Sequence, residues 1–320
     1  MSDTFFARKR CLTHALRRSE AVLYNGVPAN EVPYLASFET LSSARDVREQ
    51  VRRWRAAHQT VALVPTMGNL HDGHLSLARL ARKVADRVAM SIFVNPTQFG
   101  VGEDFEHYPR TLEEDRAKLA EEGTVDLLFV PDERQIYPFG TEHAVRVVMP
   151  PLANELCGAW RPGHFDGVGM VVTRLLNICE PDVLVLGRKD YQQLVLLERM
   201  IVDLGMRTRV VSGPTLREPD GLAMSSRNRY LTAEERARAP ALHAALERVQ
   251  EALARGATDF GALEGDALEE LRRAGFEPDY VEIRAAADLS KPRPGAAADE
   301  LIVLGAARLG RARLIDNTSR

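Results

Sequence analysis

Residues 61–74 read Val-Ala-Leu-Val-Pro-Thr-Met-Gly-Asn-Leu-His-Asp-Gly-His, and an amphipathic helical pattern follows them. The apolar run at its start predicts a buried strand that passes through a glycine-rich turn into a helix. Two histidines three residues apart at such a junction can point at one ligand. Free backbone N–H groups and the positive end of the helix dipole favour an anion there, and imidazole donors can follow charge that grows on phosphate oxygens. The stretch therefore predicts an α/β fold with a triphosphate site at the strand–helix junction.

Two other interpretations of this stretch compete with the phosphate site. In the first, Gly68 and Gly73 only shape a tight turn, and His71 and His74 are ordinary surface residues. In the second, the histidines bind zinc, but zinc needs further ligands and the sequence has no C-x-x-C or H-E-x-x-H motif. The order strand, glycine-rich turn, helix favours the phosphate interpretation.

Composition places the chain among ordinary globular proteins. Its 320 residues are 45% hydrophobic and 27% charged, with a formal net charge of -3, so neither nucleic acid nor an anionic membrane is expected as a partner. No apolar run approaches the roughly 18 residues of a membrane span. Cys11, Cys157 and Cys179 are odd in number and widely spaced, which favours free thiols in a reducing cytoplasm over a disulfide framework.

The first 37 residues differ from the remainder of the chain. Arginine and lysine exceed acidic residues over 1–20, and glycine and prolines interrupt 24–34. We expect a loosely ordered extension; an organelle transit peptide is conceivable, but acidic residues and a lack of serine favour a tail with no targeting role.

From residue 42 to about residue 214, helical and strand patterns alternate. The patterns predict helices at 43–57, 74–86, 112–122, 168–177 and 192–204, and strands at 60–64, 88–94, 127–130 and 183–186. Short apolar strands separated by helices indicate a parallel sheet covered on both faces, which we assign to a domain at 38–214.

Residues 215–320 predict a smaller α+β domain. A capping box at Thr232–Glu235 is expected to open a long helix. Strand patterns at 279–284, 301–309 and 313–316 suggest a small antiparallel sheet, with 285–298 as a connecting loop.

Polar residues follow three of the predicted parallel strands, where ligands of such sheets bind. They are His71 and His74 after the first strand, Asn95 and Gln98 after the second, and Gly187, Lys189, Asp190 and Gln193 after the fourth. Lys189 offers a compact cation for phosphate, and Asp190 can accept from a ribose or orient Lys189; alternatively, the two form a surface ion pair. Because Gln98 and Gln193 cannot ionise, they suit recognition of hydroxyl and carboxylate groups and not proton transfer.

Two loops complete the set of candidate segments. The hydroxyls and guanidinium of Met224-Ser225-Ser226-Arg227 can wrap phosphate oxygens, although a solvated loop is the alternative. The turn-rich stretch 161–167, Arg-Pro-Gly-His-Phe-Asp-Gly, either closes over the site or only starts the following helix.

With these motifs in place, the chain resembles the pantothenate synthetase family of pantoate:β-alanine ligases, within the H-x-G-H nucleotidylyl transferases. The resemblance runs from about Phe38 to Asn317 and rests on residues 65–74, 91–99, 108–111, 161–168, 189–193 and 224–228. It implies a Rossmann-like domain, a smaller C-terminal domain that closes over it, Mg-ATP as cosubstrate and a homodimer. Two positions depart from the family pattern: Arg188 and Cys157 each stand where a glutamate is usual.

The resemblance also implies residue roles. His74 would be the proton donor, and Gln98 and Gln193 would hold pantoate, with Gln98 also near β-alanine. Asn95 belongs to the same amide-rich substrate pocket. The implied ATP-binding residues are Met67, Gly68, Asn69, Leu70, His71, Asp72, Gly73, His74, Gly187, Arg188, Lys189, Asp190, Leu216, Met224, Ser225, Ser226 and Arg227.

The implied reaction agrees with these residue types. The pantoate carboxylate would attack the α-phosphorus of ATP, pyrophosphate would leave, and β-alanine would then displace AMP without a protein nucleophile. We expect a bound triphosphate to raise the pKa of the neighbouring histidine, which favours its protonated form. A nucleotidylyl transferase acting on a phosphate-bearing substrate and a catalytically silent nucleotide-binding protein are the rival hypotheses.

Overall fold

The structure, a computed structural model, describes residues 38–100 and 102–319. The extension predicted at 1–37 lies outside the described residues, and the domain boundary between 214 and 215 stays a prediction. No helix in the described part of the chain is long and apolar enough to cross a membrane.

A six-stranded sheet, in which all strand pairs are parallel, has the order β1-β4-β3-β2-β5-β6. Its strands are β1 (Glu39–Leu41), β2 (Val61–Thr66), β3 (Arg87–Ile92), β4 (Leu127–Phe129), β5 (Val183–Gly187) and β6 (Arg209–Gly213). The four strands expected from the sequence are present, and the two edge strands β1 and β6 are additional.

Helices cover both faces of this sheet, as the near-continuous apolar strands predict. They are α1 (Ala44–Ala56), α2 (Asp72–Val84), α3 (Leu112–Glu122), α4 (Glu133–Ile136), α5 (Cys157–Trp160), α6 (His164–Cys179) and α7 (Tyr191–Asp203). Alternate residues of β2 face opposite sides: Val61 and Leu63 pack in the core with α1 and α6, whereas Ala62 and Val64 pack with α2. Burial on both faces explains why the strand shows no polar alternation.

The chain order reverses at the centre of the sheet. Strand β2 pairs with β3 on one side and with β5 on the other. Successive connections run outward from β2 in opposite directions, so a crevice opens beyond the carboxyl ends of β2 and β5. The turn that carries His71 and His74, residues 67–74, follows β2 and is called the histidine turn below. The segment containing Lys189 follows β5.

The C-terminal part contains an antiparallel sheet of three strands, β7 (Glu277–Ala285), β8 (Leu301–Leu309) and β9 (Ala312–Thr318). The helices α8 (Ala233–Arg238), α9 (Ala241–Ala254) and α10 (Phe260–Arg273) precede it. Leu246 and Val249 of α9 pack with Val281 and Val303 on one face of this sheet. The arrangement confirms the predicted fold class, an α/β fold with a Rossmann-like parallel sheet and a smaller α+β part.

The predicted single long helix after the capping box was wrong. Thr232 and Glu235 do form the capping box, but α8 ends at Arg238 and a new helix starts at Ala241. Pro240 stands between them. Its nitrogen has no hydrogen to donate to the carbonyl of Arg236, and its ring would clash with that carbonyl in a continuous helix.

Candidate active site

Two glycines allow the histidine turn its sharp reversal and its close packing. Gly68 has φ +80 and Asn69 has φ +51, both in the left-handed region, so the chain reverses sharply after β2. His71 is the N-cap of α2, and a Cβ on Gly73 would lie 2.9 Å from the His71 ring. The absence of that Cβ lets the two imidazoles approach, with ring centroids 4.1 Å apart.

Asp115 of α3 holds this turn in place, and the sequence interpretation missed it. Its carboxylate is fully buried and accepts hydrogen bonds from the backbone nitrogens of Asn69 at 2.8 Å and Leu70 at 2.7 Å. The only sequence signal is its position on the face of α3 that also carries Leu119, where an apolar residue is expected. A buried carboxylate between two backbone donors fixes the start of the histidine turn.

Both histidines are neutral among the protein groups that surround them. Burial, aided by the nearby positive charge of Lys189, lowers the pKa of His71 to about 4. Burial, with His71 and Lys189 as further causes, holds the pKa of His74 well below its ordinary value. The backbone N–H of His71 donates to Nδ1 of His74 at 3.3 Å, so the proton of neutral His74 lies on Nε2. His74 is thus a neutral donor, and its protonation beside a triphosphate stays a prediction.

The Met224–Arg227 segment lies directly against the histidine turn. Ser226 Oγ donates to the backbone oxygen of Asn69 at 3.2 Å, and Arg229 Nη1 donates to Asn69 Oδ1 at 2.8 Å. The guanidinium of Arg227 is oriented by Asp104, with Nε–Oδ2 and Nη2–Oδ1 distances of 3.2 and 3.0 Å. Two segments far apart in sequence therefore form adjoining walls of one cavity.

The segment after β5 supplies the third wall. Lys189 Nζ lies 3.8 Å from Asp190 Oδ2, and Asn317 Nδ2 donates to the backbone oxygens of Arg188 and Lys189, both at 2.9 Å. Asn317, on β9, thereby fixes the loop that presents Lys189. The side chain of Arg188 is exposed, whereas Lys189 and Asp190 line the cavity.

The amide-rich pocket lies beside these walls. Asn95 is buried and its amide is saturated: Nδ2 donates to Gln98 Oε1 at 3.0 Å and to the oxygen of Gly167 at 3.1 Å, while Oδ1 accepts from Tyr137 Oη at 2.7 Å and from Thr97 Oγ1 at 3.0 Å. Gln98 Oε1 accepts from Asn95 Nδ2, and Gln98 Nε2 donates one hydrogen to Met67 Sδ at 3.1 Å. The second Nε2 hydrogen is the one that Gln98 can offer to a ligand. Asn95 therefore serves to orient Gln98.

One cavity joins the predicted segments. Predicted site residues that line it are Met67, His71, Gly73, His74, Asn95, Gln98, Gly187, Lys189, Asp190, Gln193, Leu216, Met224, Ser225, Ser226 and Arg227. The others, Gly68, Asn69, Leu70, Asp72 and Arg188, do not line it. Gly68, Asn69 and Leu70 instead shape the turn that carries the histidines.

Cys157 does not line this cavity but an adjoining one, and the two share Lys189, Gln193 and Arg227. Its Sγ lies 3.1 Å from Tyr280 Oη and 3.6 Å from Arg313 Nη1. Cys157 and Cys179 are both buried free thiols, as expected from the sequence, and Cys11 lies outside the described residues. A packing role for Cys157 agrees with these contacts.

Comparison with known proteins leads to the same assignment. A family sequence model described as pantoate-beta-alanine ligase matches residues 39–319. The pantothenate synthetase of Thioalkalivibrio sulfidiphilus is 56% identical over 264 residues, which cover 82% of this chain and 91% of that protein. The pantothenate synthetase of Azotobacter vinelandii is 50% identical over 281 residues, 88% of this chain and 98% of that protein.

Solved structures agree with the sequence matches. The crystal structure of pantothenate synthetase from Thermus thermophilus has a TM-score of 0.81 and 44% identity, covering 88% of this chain and 99% of that one. A pantoate-beta-alanine ligase from Francisella tularensis, complexed with beta-gamma ATP and beta-alanine, has a TM-score of 0.74 and 33% identity over 88% of this chain and 98% of that one.

Proposed function

The chain belongs to the pantoate-beta-alanine ligase family and is a ligase, and we propose that it uses ATP to condense pantoate with β-alanine, giving pantothenate, AMP and pyrophosphate. One observation carries the proposal: the histidine turn, Lys189 and the Ser225–Arg227 segment meet the amides of Gln98 and Gln193 in one cavity, at the switch point of the sheet. Such a site can hold a triphosphate against a small polar acid.

The nucleotide occupies the walls formed by the histidine turn, Ser225–Arg227 and Lys189 in this proposal. Arg227 and Lys189 supply positive charge, and Asp104 already fixes the orientation of the Arg227 guanidinium. Fixed donors stabilise charge without reorganising during the reaction. The ATP and β-alanine named for the Francisella tularensis structure support the same substrates here.

Pantoate is placed beside Gln98 and Gln193. Both amides line the cavity next to apolar side chains from α6, including Val171 and Val172. An amide pair above an apolar wall suits a hydroxylated acid with a branched hydrocarbon body. Arg161 lines the cavity beside Gln98, but its guanidinium is already paired with Glu103. That pairing argues against a second phosphate ester here, and so against the rival nucleotidylyl transferase.

The chemistry then needs no protein nucleophile. The pantoate carboxylate oxygen attacks the α-phosphorus, the bond to the β-phosphate oxygen breaks, and pyrophosphate leaves with the pair of electrons. His74 Nε2–H donates to a phosphate oxygen on which charge grows. The amine of β-alanine next attacks the acyl carbonyl, the bond to the AMP oxygen breaks, and a proton is lost from nitrogen.

Magnesium enters as part of the Mg-ATP substrate. Among residues 38–100 and 102–319, no group of three or more His, Cys, Asp or Glu side chains could hold a metal ion by itself. Mg²⁺ commonly binds through substrate phosphates, water and one or two carboxylates. Asp190 lines the cavity and would hold the ion together with the phosphates. A homodimer in the cytoplasm and closure of a C-terminal domain at 215–320 over one at 38–214 complete the proposal.

Isotope transfer tests the proposed intermediate. With pantoate labelled with ¹⁸O in its carboxylate, we expect one labelled oxygen in AMP after full turnover, because the carboxylate itself attacks phosphorus. Pantoate-dependent exchange of labelled pyrophosphate into ATP should also appear without β-alanine. ADP and phosphate as products, or AMP without label, would contradict the acyl adenylate.

Gln98→Ala is expected to raise the KM for pantoate about 10-fold or more, since each lost hydrogen bond to a carboxylate costs about that factor. The KM for ATP should change less than 2-fold.

Gln192→Ala is unsuitable as a control because the Gln192 amide is used internally to hold the backbone of Leu152, Glu155 and Cys157. Gln50→Ala is the matched control, because Gln50 lies on α1 and does not line the cavity. Equal changes in both KM values would remove the proposed selectivity of Gln98 for pantoate.

A further inference from the structure

Two side chains that were not among the predicted site residues bind the backbone of Gln98, and both also line the cavity. His164 Nδ1 lies 2.8 Å from the Gln98 carbonyl oxygen, and Arg161 Nη2 lies 3.3 Å from the same oxygen. Both belong to the turn-rich stretch 161–167, for which the sequence left two interpretations open, and His164 is the first residue of α6. The carbonyl carbon and the side chain of Gln98 are both bonded to its Cα. Contacts that hold the carbonyl therefore set the direction in which the side chain leaves the backbone.

The protonation state of His164 is determined by its partners. A carbonyl oxygen only accepts, so Nδ1 of His164 carries the hydrogen. Nε2 lies 2.9 Å from Arg161 Nη1, which only donates, so Nε2 has no hydrogen. Burial, together with the charge of Arg161, lowers the pKa of His164 to about 3, and the ring is neutral at pH 7. One tautomer satisfies every contact of the ring.

Glu103 fixes Arg161 in turn. Its carboxylate accepts from Arg161 Nε at 2.8 Å and from Nη2 at 2.5 Å, a bidentate pair in which both side chains are largely shielded from solvent. Such a fork holds the guanidinium in one orientation. A chain of contacts therefore runs from Glu103 through Arg161 and His164 to the main chain of Gln98.

The start of α6 holds the other side of the same segment. A Cβ on Gly167 would lie 2.1 Å from the backbone oxygen of Thr97, so the helix backbone packs directly on the turn Pro96–Gln98. Asn95 fixes the Gln98 amide from within that turn. Main chain and side chain of Gln98 are thus held separately.

Arg161 and His164 line the cavity themselves, and we infer that they act as positioning residues for pantoate through the main chain of Gln98. The inference rests on the proposed role of Gln98 in binding pantoate. A substrate-reading amide must be held to within a fraction of an ångström, because small displacements weaken both binding and reaction. Since ATP occupies other walls of the cavity, loss of this support should affect pantoate selectively.

A double-mutant cycle tests the inference, with steady-state KM values for pantoate and ATP as the readouts. His164→Ala should raise the KM for pantoate about 10-fold, the effect of one lost hydrogen bond, and leave the KM for ATP within 2-fold. His164→Asn keeps an N–H near the position of Nδ1 and should recover most of the loss. Arg161→Lys keeps the positive charge but cannot form the bidentate pair with Glu103. It should raise the KM for pantoate, but less than His164→Ala does. The exposed His107→Ala is the matched control and should match the parent.

The decisive comparison is made in the Gln98→Ala background. If His164 acts through the Gln98 amide, adding His164→Ala there should change the KM for pantoate by less than 2-fold. A further 10-fold rise would show that His164 acts independently and would overturn the inference. Failure of His164→Asn to recover any of the loss would also count against it. If Gln98→Ala alone left the pantoate KM unchanged, the proposed role of Gln98 would fail first, and that result is distinct from additivity.

Discussion

Replacing His74 by alanine is expected to slow adenylate formation about 100-fold or more, the usual effect of removing one donor to developing transition-state charge. Nδ1 of His74 accepts the backbone N–H of His71, so Nε2 carries the hydrogen that is free for a ligand. Charge on the α- and β-phosphate oxygens increases as pyrophosphate leaves. The lost donor should therefore matter more in the transition state than in the ATP complex, and ATP affinity should fall much less than the rate.

Single-turnover rapid quench measures the adenylation rate, and equilibrium binding measures ATP affinity. His74→Gln places an amide N–H near the position of Nε2 and should recover part of the rate, whereas the exposed His143→Ala is a control without effect. A variant that lost ATP binding while its adenylation rate stayed at the parent value would refute the assigned role of His74.

Much of the central sheet could be predicted because its strands are buried on both faces. Strands β2 and β5 appear as unbroken apolar runs bounded by turn residues. The edge strands carry no such signal. β1 has only three residues, none of them buried, and β6 begins with an exposed arginine. An edge strand is defined by its hydrogen-bonded neighbour, and that partner cannot be deduced from local composition.

The residues of the candidate site also divide into those that the sequence could predict and those that it could not. The residues that we propose to contact a ligand are recognisable because glycines, histidines and paired hydroxyls occur close together in short motifs. The residues that hold them in position cannot be recognised in this way. Asp115 meets the histidine turn across 45 positions, and His164 meets Gln98 across 66. A lone acid in a helix or a histidine in a loop looks like a solvated residue until the fold brings it to its partner.

Asp115→Ala is expected to destabilise the protein by about 3 kcal/mol, because it removes a charged acceptor from two buried backbone donors, each worth roughly 1.5 kcal/mol or more. The N–H groups of Asn69 and Leu70 both lose this acceptor, and the Thr111 hydroxyl loses its own bond to the carboxylate at 3.3 Å. The midpoint of urea unfolding, with the slope checked for constancy, measures the loss. Glu113→Ala, two residues earlier on the same helix and exposed, should shift the midpoint little.

Asp115→Asn separates the role of charge from that of shape. Asparagine fits the same space but turns one acceptor oxygen into an N–H₂ group that faces a backbone N–H. We expect it to cost about 2 kcal/mol and to lower the adenylation rate at temperatures where the protein stays folded, because the Asn69 carbonyl that accepts from Ser226 belongs to the displaced turn. A stable Asp115→Asn protein with the parent rate would mean that the turn keeps its geometry without the carboxylate. In that case the two glycines and the packing of Leu70 would be sufficient to position both histidines.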